Sequence, residues 1–303
     1  MAMDVGALNP EKGVSTIMIL YKYYGAGTGK IAIESQNLGF RKPGYFNDPF
    51  ELSALSNSSG PLAKQETLRR SIESLKDQVV ILSLTRSPDN PLMWAHYGEE
   101  HTGFVVGYDI SGAFLGSPEF NLVTADAGDV LYTNTKSPFA LSVETMDAIL
   151  GLSHRGFGAP GTPSLQEQSI ARRLFLTKHA CWVYEEEVRI VKLLDSLFED
   201  TETFQSHEYR SFRTLTRNLT PDEMPGVDFE PGYFTAPLNR NTTELYIFNH
   251  RVPIKEIYLG ARSTFRNEAG FNEIFADGRS VYQMRVNESS WQLERTRLSS
   301  NGQ

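Results

Sequence analysis

Two glutamates and an arginine are spaced two residues apart in the segment KHACWVYEEEVRIVK, residues 178–192. A β-strand places alternate side chains on opposite faces, so this spacing predicts Glu185, Glu187 and Arg189 on one face. The other face would carry bulky side chains, namely Trp182, Tyr184, Val188 and Ile190. We therefore expect a strand that is buried on both faces. Two buried glutamates lower stability unless they are paired or have a function.

The pair Glu185 and Glu187 has several possible uses. Neighbouring carboxylates can bind a metal ion, act as general acid and base, orient a ribose hydroxyl or bridge arginines. The structural alternative is an ion pair with Arg189, which is a common arrangement for buried charges. Lys178 is predicted at the end of the preceding helix, where its charge would neutralise one of the carboxylates.

Other side chains with chemical potential lie in three further segments. The segment MWAHYG contains Trp94, His96 and Tyr97, which are either core side chains or ligand contacts. The loop Pro43–Glu51, PGYFNDPFE, is rich in aromatic residues and contains Tyr45, Asn47 and Asp48, and Asn-Asp-Pro is also a common turn former. Ser83 and Thr85 lie at the end of a strand, where hydroxyls bind ligands or cap the backbone.

The elements that would hold these residues alternate irregularly between strands and helices. Short apolar runs predict strands at Ile17–Tyr24, Val79–Leu84, Gly103–Asp109, Ile254–Leu259 and Ser280–Val286. Helical spacing predicts helices at Gln65–Leu75, Leu92–Tyr97, Leu165–His179 and Phe265–Phe275, with Asp89 or Asn90 and Ser164 as N-terminal caps. We expect Val79–Leu84 to pair with Gly103–Asp109. The pattern predicts one α+β domain with a central mixed or antiparallel sheet and helices outside it.

Composition narrows the functional classes. The chain has 303 residues, a net charge of −8 and a single cysteine, Cys181. The acidic balance argues against sequence-independent coating of nucleic acid, and one cysteine excludes both an intramolecular disulfide and a multi-cysteine zinc site. No apolar run is long enough to span a membrane. We expect a cytoplasmic protein that has no membrane partner.

Several segments, taken together, resemble the bacterial family of unknown function DUF2971. They are LYKY at 20–23, FNDPFE at 46–51, LSLT at 82–85, MWAHYG at 93–98, WVYEEEVR at 182–189 and IKEIYLG at 254–260. The resemblance covers about residues 18–262 and implies one domain at 14–295. Variable insertions are expected at about 111–163 and 196–240, and flexible ends at 1–13 and 296–303.

The order of these segments is also similar to the ADP-ribosyltransferase fold of DarT-like toxins, which implies a split sheet and NAD as the substrate. In that likeness Lys22 takes the first-strand position that helps to hold NAD, although those enzymes have arginine or histidine there. Ser83 or Thr85 takes the hydroxyl position, Glu187 stabilises the oxocarbenium-like state, and Glu185 orients the substrate. Arg189 holds a phosphate or locks the glutamates. The remaining predicted binding residues are Tyr23, Tyr45, Asn47, Asp48, Trp94, His96 and Tyr97.

Three functional hypotheses follow. The first is an ADP-ribosyltransferase-like toxin or anti-phage effector that modifies nucleic acid or protein, needs no metal and has an antitoxin or regulatory partner. The second is a metal-dependent nuclease or hydrolase that uses Asp48, His96, Glu185 and Glu187. The third is a non-enzymatic sensor or adaptor in which the charged strand ties the core together.

Overall fold

A mixed β-sheet with helices packed around it organises the chain. The computed structural model describes residues 17–118, 121–155, 163–193, 234–235, 245–248 and 251–300. The strands are β1 (Ile19–Tyr24), β2 (Leu38–Arg41), β3 (Ser58–Ser59), β4 (Val79–Thr85), β5 (Phe104–Asp109), β6 (Leu131–Thr133), β7 (Phe139–Ala140), β8 (Thr177–His179), β9 (Glu187–Leu193), β10 (Phe234–Thr235), β11 (Leu245–Phe248), β12 (Ile254–Leu259), β13 (Ser280–Val286) and β14 (Leu293–Arg297). The helices are α1 (Ala26–Ser35), α2 (Leu62–Gln78), α3 (Pro91–Tyr97), α4 (Ala113–Gly116), α5 (Val143–Arg155) and α6 (Leu165–Phe175). These elements confirm the predicted α+β class with a mixed central sheet.

Strand β4 lies at a fork in the main sheet. It pairs along its length with β9, whereas its contacts with β1 and β2 are limited to the pairs Tyr21–Thr85 and Arg41–Ile81. From β1 the sheet continues through β5, β12, β13 and β14, and from β2 it continues through β11 and β10. The predicted pairing of β4 with β5 is wrong, because β5 pairs with β1 and β12.

Both faces of β4 are covered by core, as its continuous apolar sequence predicts. Val80, Leu82 and Leu84 pack in one apolar cluster with side chains of β1, β5, β9 and β12. Val79 and Ile81 pack in a second cluster with side chains of α2, α5 and α6. Residues in the range 111–163, which were expected to be a variable insertion, supply part of this second cluster, including Val123, Val130, Phe139 and Leu152.

Several predicted boundaries change in the structure. Helix α6 has the predicted Ser164 cap, whose side chain accepts from the Glu167 amide, but it ends at Phe175 because the next residues form β8 against β6. The predicted helix at Phe265–Phe275 is wrong: two 3₁₀ segments, Phe265–Asn267 and Phe271–Gly278, occupy this region, with Gly270 between them at a φ of 91°. Strand β14 extends into the predicted flexible end at 296–303. The range 1–13 and, apart from Phe234–Thr235, the range 196–240 lie outside the described residues.

Candidate functional site

The two central glutamates do not lie on one continuous strand, so this prediction is wrong. Residues Ala180–Glu185 form a 3₁₀ turn, and Glu186 then adopts a left-handed conformation with a φ of 43°. Strand β9 starts only at Glu187. The left-handed residue breaks the two-residue alternation, yet it turns the chain so that both carboxylates point into the same buried region. Glu185 is 5% exposed and Glu187 is 6% exposed.

Lys178 joins the two carboxylates. Its Nζ atom donates to Glu185 Oε2 at 2.5 Å and to Glu187 Oε2 at 3.2 Å. This lysine was predicted at the end of a helix to neutralise one carboxylate, but it lies in β8 and bonds to both. Burial alone would lower the pKa of Lys178, but the charges of Glu187 and Glu185 outweigh burial and raise that pKa. Lys178 is therefore a buried cation that bonds to both glutamates.

Arg189 extends the network on the other side of Glu187. Its side chain is fully buried and donates from Nε to Glu187 Oε1 at 2.8 Å and from Nη2 to Glu187 Oε2 at 3.1 Å. It also makes two hydrogen bonds with Glu51, from Nη1 to Oε1 at 2.6 Å and from Nη2 to Oε2 at 3.0 Å. The Phe175 carbonyl accepts from Nη1 at 2.7 Å. These paired contacts use the fork geometry of the guanidinium, which a lysine does not have.

The charges around Glu187 keep it ionised. Burial alone would raise the pKa of this carboxyl, but Arg189 and Lys178, with further hydrogen bonding from Arg189 and Ser83, lower the pKa to about 2. The Glu187 amide also donates to the Tyr132 hydroxyl at 2.9 Å. Glu187 is therefore an anion at neutral pH, suited to stabilising positive charge and poorly suited to accepting a proton.

A second chain of hydrogen bonds leads from Glu185 to the aromatic loop. Tyr97 OH donates to Glu185 Oε1 at 2.7 Å, and Asn47 Nδ2 donates to Tyr97 OH at 3.1 Å. Burial and the hydrogen bond to Glu185 raise the pKa of Tyr97, so its hydroxyl stays protonated. Asn47 is exposed and Tyr97 is half-buried, so this chain connects the buried carboxylate with the surface. The loop Pro43–Glu51 is thus tied to the network at Asn47 and at Glu51.

Lys22 lies at the fork of the sheet. The Ser83 carbonyl lies between the two bridges that join β4 to β1 and β2, and it accepts from Lys22 Nζ at 3.0 Å. Burial lowers the pKa of Lys22 to about 8, although the nearby Glu187 carboxylate acts in the opposite direction. Lys22 and Ser83 are both half-buried.

The structure brings together seven of the predicted site residues: Lys22, Asn47, Ser83, Tyr97, Glu185, Glu187 and Arg189. Tyr23 and Trp94 instead lie in a separate apolar cluster, where Tyr23 OH donates to the Ser87 carbonyl and Trp94 Nε1 donates to the Pro88 carbonyl. The buried Asp48 carboxylate accepts from the Phe50 amide within its own turn.

The other three predicted residues lie at the edge of the site. Thr85 pairs with Glu187 across the two strands, and its buried hydroxyl accepts from the Ser87 amide at 3.4 Å. His96 is exposed and its ring lies 5.9 Å from that of Tyr184. Tyr45 is 44% exposed at the end of a 3₁₀ turn, Pro43–Tyr45.

The site predicted from the sequence did not include Glu51, Tyr132 or Lys178. Glu51 is the last residue of the loop PGYFNDPFE, and the three aromatic residues of this loop were the available signal. Tyr132 is the middle residue of the short strand β6, and its sequence surroundings carry no comparable signal.

Two general features concern metals and membranes. Within the described ranges, no group of three or more His, Cys, Asp and Glu side chains is arranged to hold a metal ion. In the same ranges, none of the helices has the length and apolarity that a membrane span requires. Lys178 and Arg189 already bond to the carboxylate oxygens that a metal at Glu185 and Glu187 would need.

Comparison with protein families gives a match to part of the chain. The model of a family described as "Protein of unknown function (DUF2971)" matches residues 93–190, a segment that runs from α3 to β9 and includes Tyr97, Lys178, Glu185, Glu187 and Arg189. The resembling segments at 20–23, 46–51, 82–85 and 254–260 lie outside this match. No curated protein and no solved structure matches the chain significantly. The segment 93–190, which is less than half of the chain, is thus similar to the DUF2971 family.

Proposed function

We propose that the protein is an ADP-ribosyltransferase-like enzyme that transfers ADP-ribose from NAD to a macromolecular acceptor. The observation that carries this proposal is the meeting of Lys22, Ser83 and Glu187 at the fork of the sheet. These residues come from three strands, β1, β4 and β9, and they are the residue types that the reaction needs: a cation, a hydroxyl and an ionised carboxylate.

The chemistry requires stabilisation of a positively charged sugar. The bond between C1′ of the nicotinamide ribose and the nicotinamide nitrogen breaks, and its electron pair leaves with the neutral nicotinamide. The acceptor then forms a new bond to C1′ and loses its proton to a base. Glu187, kept anionic by Arg189 and Lys178, stabilises the oxocarbenium-like state. Lys22 provides positive charge for a diphosphate, and Glu185 orients the substrate and is the carboxylate nearest to take the proton.

The fork in the sheet supports the same proposal at the level of the fold. The sheet has one arm through β1 and the other through β2, and we interpret this division at β4 as the split sheet of an ADP-ribosyltransferase-like enzyme. In this proposal the protein acts in the cytoplasm as a toxin or anti-phage effector, and an antitoxin or another regulatory partner controls it.

The test measures release of nicotinamide from NAD by the full-length protein, with and without a bacterial lysate as the source of acceptor. Ser83→Ala and Glu187→Gln should reduce nicotinamide release at least about a hundredfold, as expected for the loss of an electrostatic contact in the transition state. The matched control is Glu288→Gln, because Glu288 is an exposed glutamate in the β13–β14 connection. Thermal melting of each variant separates loss of fold from loss of chemistry. Absence of both turnover and NAD-induced thermal stabilisation in the wild type would overturn the proposal.

A second candidate function is that of a non-enzymatic adaptor, and the saturation of the network favours it. Both oxygens of Glu187 and both oxygens of Glu185 accept hydrogen bonds from protein side chains. A purely structural network predicts that Ser83→Ala leaves the effect of the expressed protein on bacterial growth unchanged, because this substitution removes no member of the ion pairs. Toxicity of the expressed protein that survives Ser83→Ala would favour this second function over the first.

A further inference from the structure

Four rings form a continuous strip next to the buried charge network. The aromatic strip consists of Trp182, Tyr184, His96 and Tyr97. Consecutive ring centroids are separated by 6.2 Å, 5.9 Å and 6.3 Å. His96 is exposed and the other three side chains are half-buried, so the strip lies at the surface. Rings in such a row offer large contact area with little loss of side-chain entropy on binding.

Asn90 holds the two halves of the strip in place. Its side-chain oxygen caps α3 by accepting from the Leu92 amide at 2.9 Å and the Met93 amide at 3.4 Å. Its side-chain nitrogen donates to the Tyr184 carbonyl at 2.8 Å. Helix α3, with His96 and Tyr97, is thereby fixed to the turn that carries Trp182 and Tyr184. The strip is therefore preorganised.

The charges beside the strip are negative. Asp89 and Glu186 are exposed. Asp89 directly precedes Asn90, which bonds to the Tyr184 carbonyl, and Glu186 directly follows the turn that carries Trp182 and Tyr184. Within the described part of the chain, neither carboxylate makes an ion pair. Arg86, whose amide donates to the Glu186 carbonyl, directs its guanidinium to Asp129 instead, at 2.7 Å. The border of the strip therefore attracts cations.

One cation already interacts with the strip from within the protein. Lys178 Nζ lies 4.9 Å from the centroid of the Trp182 ring. Arginine is the side chain that fits such a surface best, because its planar guanidinium stacks on rings and bonds carboxylates through paired donors. A nucleic acid backbone would instead be repelled by Asp89 and Glu186, and the net charge of −8 acts in the same direction.

We propose that the aromatic strip, with Asp89 and Glu186 at its border, binds a basic, arginine-containing segment of a partner protein. Binding itself is independent of any reaction. The identification of this partner as the acceptor rests on the proposed function, because the strip touches the catalytic network through Tyr97 and Glu185. The proposal then selects a protein over a nucleic acid as the acceptor class.

The experiment measures binding without NAD. Full-length protein is titrated into a fluorescently labelled peptide of alternating arginine and glycine, and anisotropy is recorded at low and at high ionic strength. A peptide with lysine in place of arginine and a single-stranded oligothymidylate serve as the other probes. We expect the arginine peptide to bind several-fold more tightly than the lysine peptide, and salt to weaken both. The oligothymidylate should not bind.

Two variants and one control assign the binding to the strip. Tyr184→Ala and Glu186→Lys should each weaken arginine-peptide binding roughly fivefold. Glu288→Lys makes the same charge change on an exposed loop far along the sheet and should leave the affinity unchanged. Should Tyr184→Ala melt at a lower temperature, Glu186→Lys still tests the surface, because the Glu186 side chain is exposed.

The proposal is overturned by equal binding of the two peptides, by equal effects of Glu186→Lys and Glu288→Lys, or by tighter binding of the oligothymidylate. None of these outcomes bears on nicotinamide release, so failure here is distinct from failure of the proposed function.

Discussion

Glu51 and Arg189 face each other through two hydrogen bonds of 2.6 and 3.0 Å although 138 positions separate them in the chain. Arg189 is fully buried and the Glu51 side chain is 7% exposed. The pair fixes the aromatic loop to the strand that carries Glu187. An exposed pair of this kind contributes little to stability, but a buried pair leaves an uncompensated charge when one partner is removed.

Replacing Glu51 by alanine should therefore destabilise the protein strongly. We expect Glu51→Ala to lower the free energy of unfolding by about 3 to 5 kcal/mol, because Arg189 loses one of its two carboxylates in a dry environment. Urea denaturation followed by tryptophan fluorescence gives this difference. Glu73→Ala is the matched control, since Glu73 pairs with Lys76 on the exposed surface of α2 and its removal should leave the midpoint close to that of the wild type. Equal denaturation midpoints for Glu51→Ala and the wild type would contradict a stabilising role of the buried Glu51–Arg189 ion pair.

Glu187 should make stability depend on pH in the acid range. Its pKa falls from 4.5 to about 2 on folding, so the unfolded state binds more protons as the pH decreases. Its contribution is complete above pH 4.5 and is lost as the pH falls towards 2, a total of about 3 kcal/mol. Melting temperatures recorded from neutral to acid pH should show a large gap between the wild type and Glu187→Gln that narrows as the pH falls. A gap that stays constant across this range would show that the Glu187 charge is not held by the network.

The Asn90 side chain should have two separable effects. Asn90→Ala removes the cap of α3 and the hydrogen bond to the Tyr184 carbonyl, so we expect a loss of about 1 to 2 kcal/mol. Asn90→Asp keeps an acceptor for the α3 amides but removes the donor to Tyr184, so its loss should be smaller. Chemical denaturation of both variants shows which of them is less stable. An Asp variant that is no more stable than the Ala variant would contradict a stabilising contribution of the cap.

Position 128 should not tolerate an added side chain, whereas position 27 should tolerate one. A Cβ atom on Gly128 would lie 2.1 Å from the Arg189 carbonyl oxygen, which is backbone and cannot move without displacing β9. We expect Gly128→Ala to lower stability by about 3 kcal/mol or more. A Cβ on Gly27, in α1, would meet nothing within 4 Å, and Gly27→Ala should stabilise the helix by up to about 1 kcal/mol. Thermal melting of the two variants in parallel tests both predictions: the melting temperature should fall for Gly128→Ala and should not fall for Gly27→Ala.

Local sequence signals predicted several elements well. Strand β4 follows from the apolar run VVILSL, the start of α3 from Asn90 and Pro91, and the start of α6 from Ser164, because caps and apolar runs act within a few residues. The grouping of Glu185, Glu187 and Arg189 was also predictable from their types and spacing.

The errors have physical causes that act over longer distances or against local preference. Glutamate rarely adopts a positive φ, so nothing in the sequence marks Glu186 as the residue that ends the 3₁₀ turn and starts β9. Thr177–His179 has helical neighbours, and only its pairing with β6 makes it a strand. Glu51 could not be identified as the second partner of Arg189, because it reaches Arg189 through tertiary folding alone.

The distance along the chain between Glu51 and Arg189 also sets when their hydrogen bonds can form during folding. Closing so long a loop is entropically unfavourable until β4, β9 and α6 have assembled, so the pair belongs to the late steps of folding. Interactions made after the transition state slow unfolding more than they speed folding. We therefore expect the buried ion pair to lengthen the lifetime of the native state by slowing unfolding.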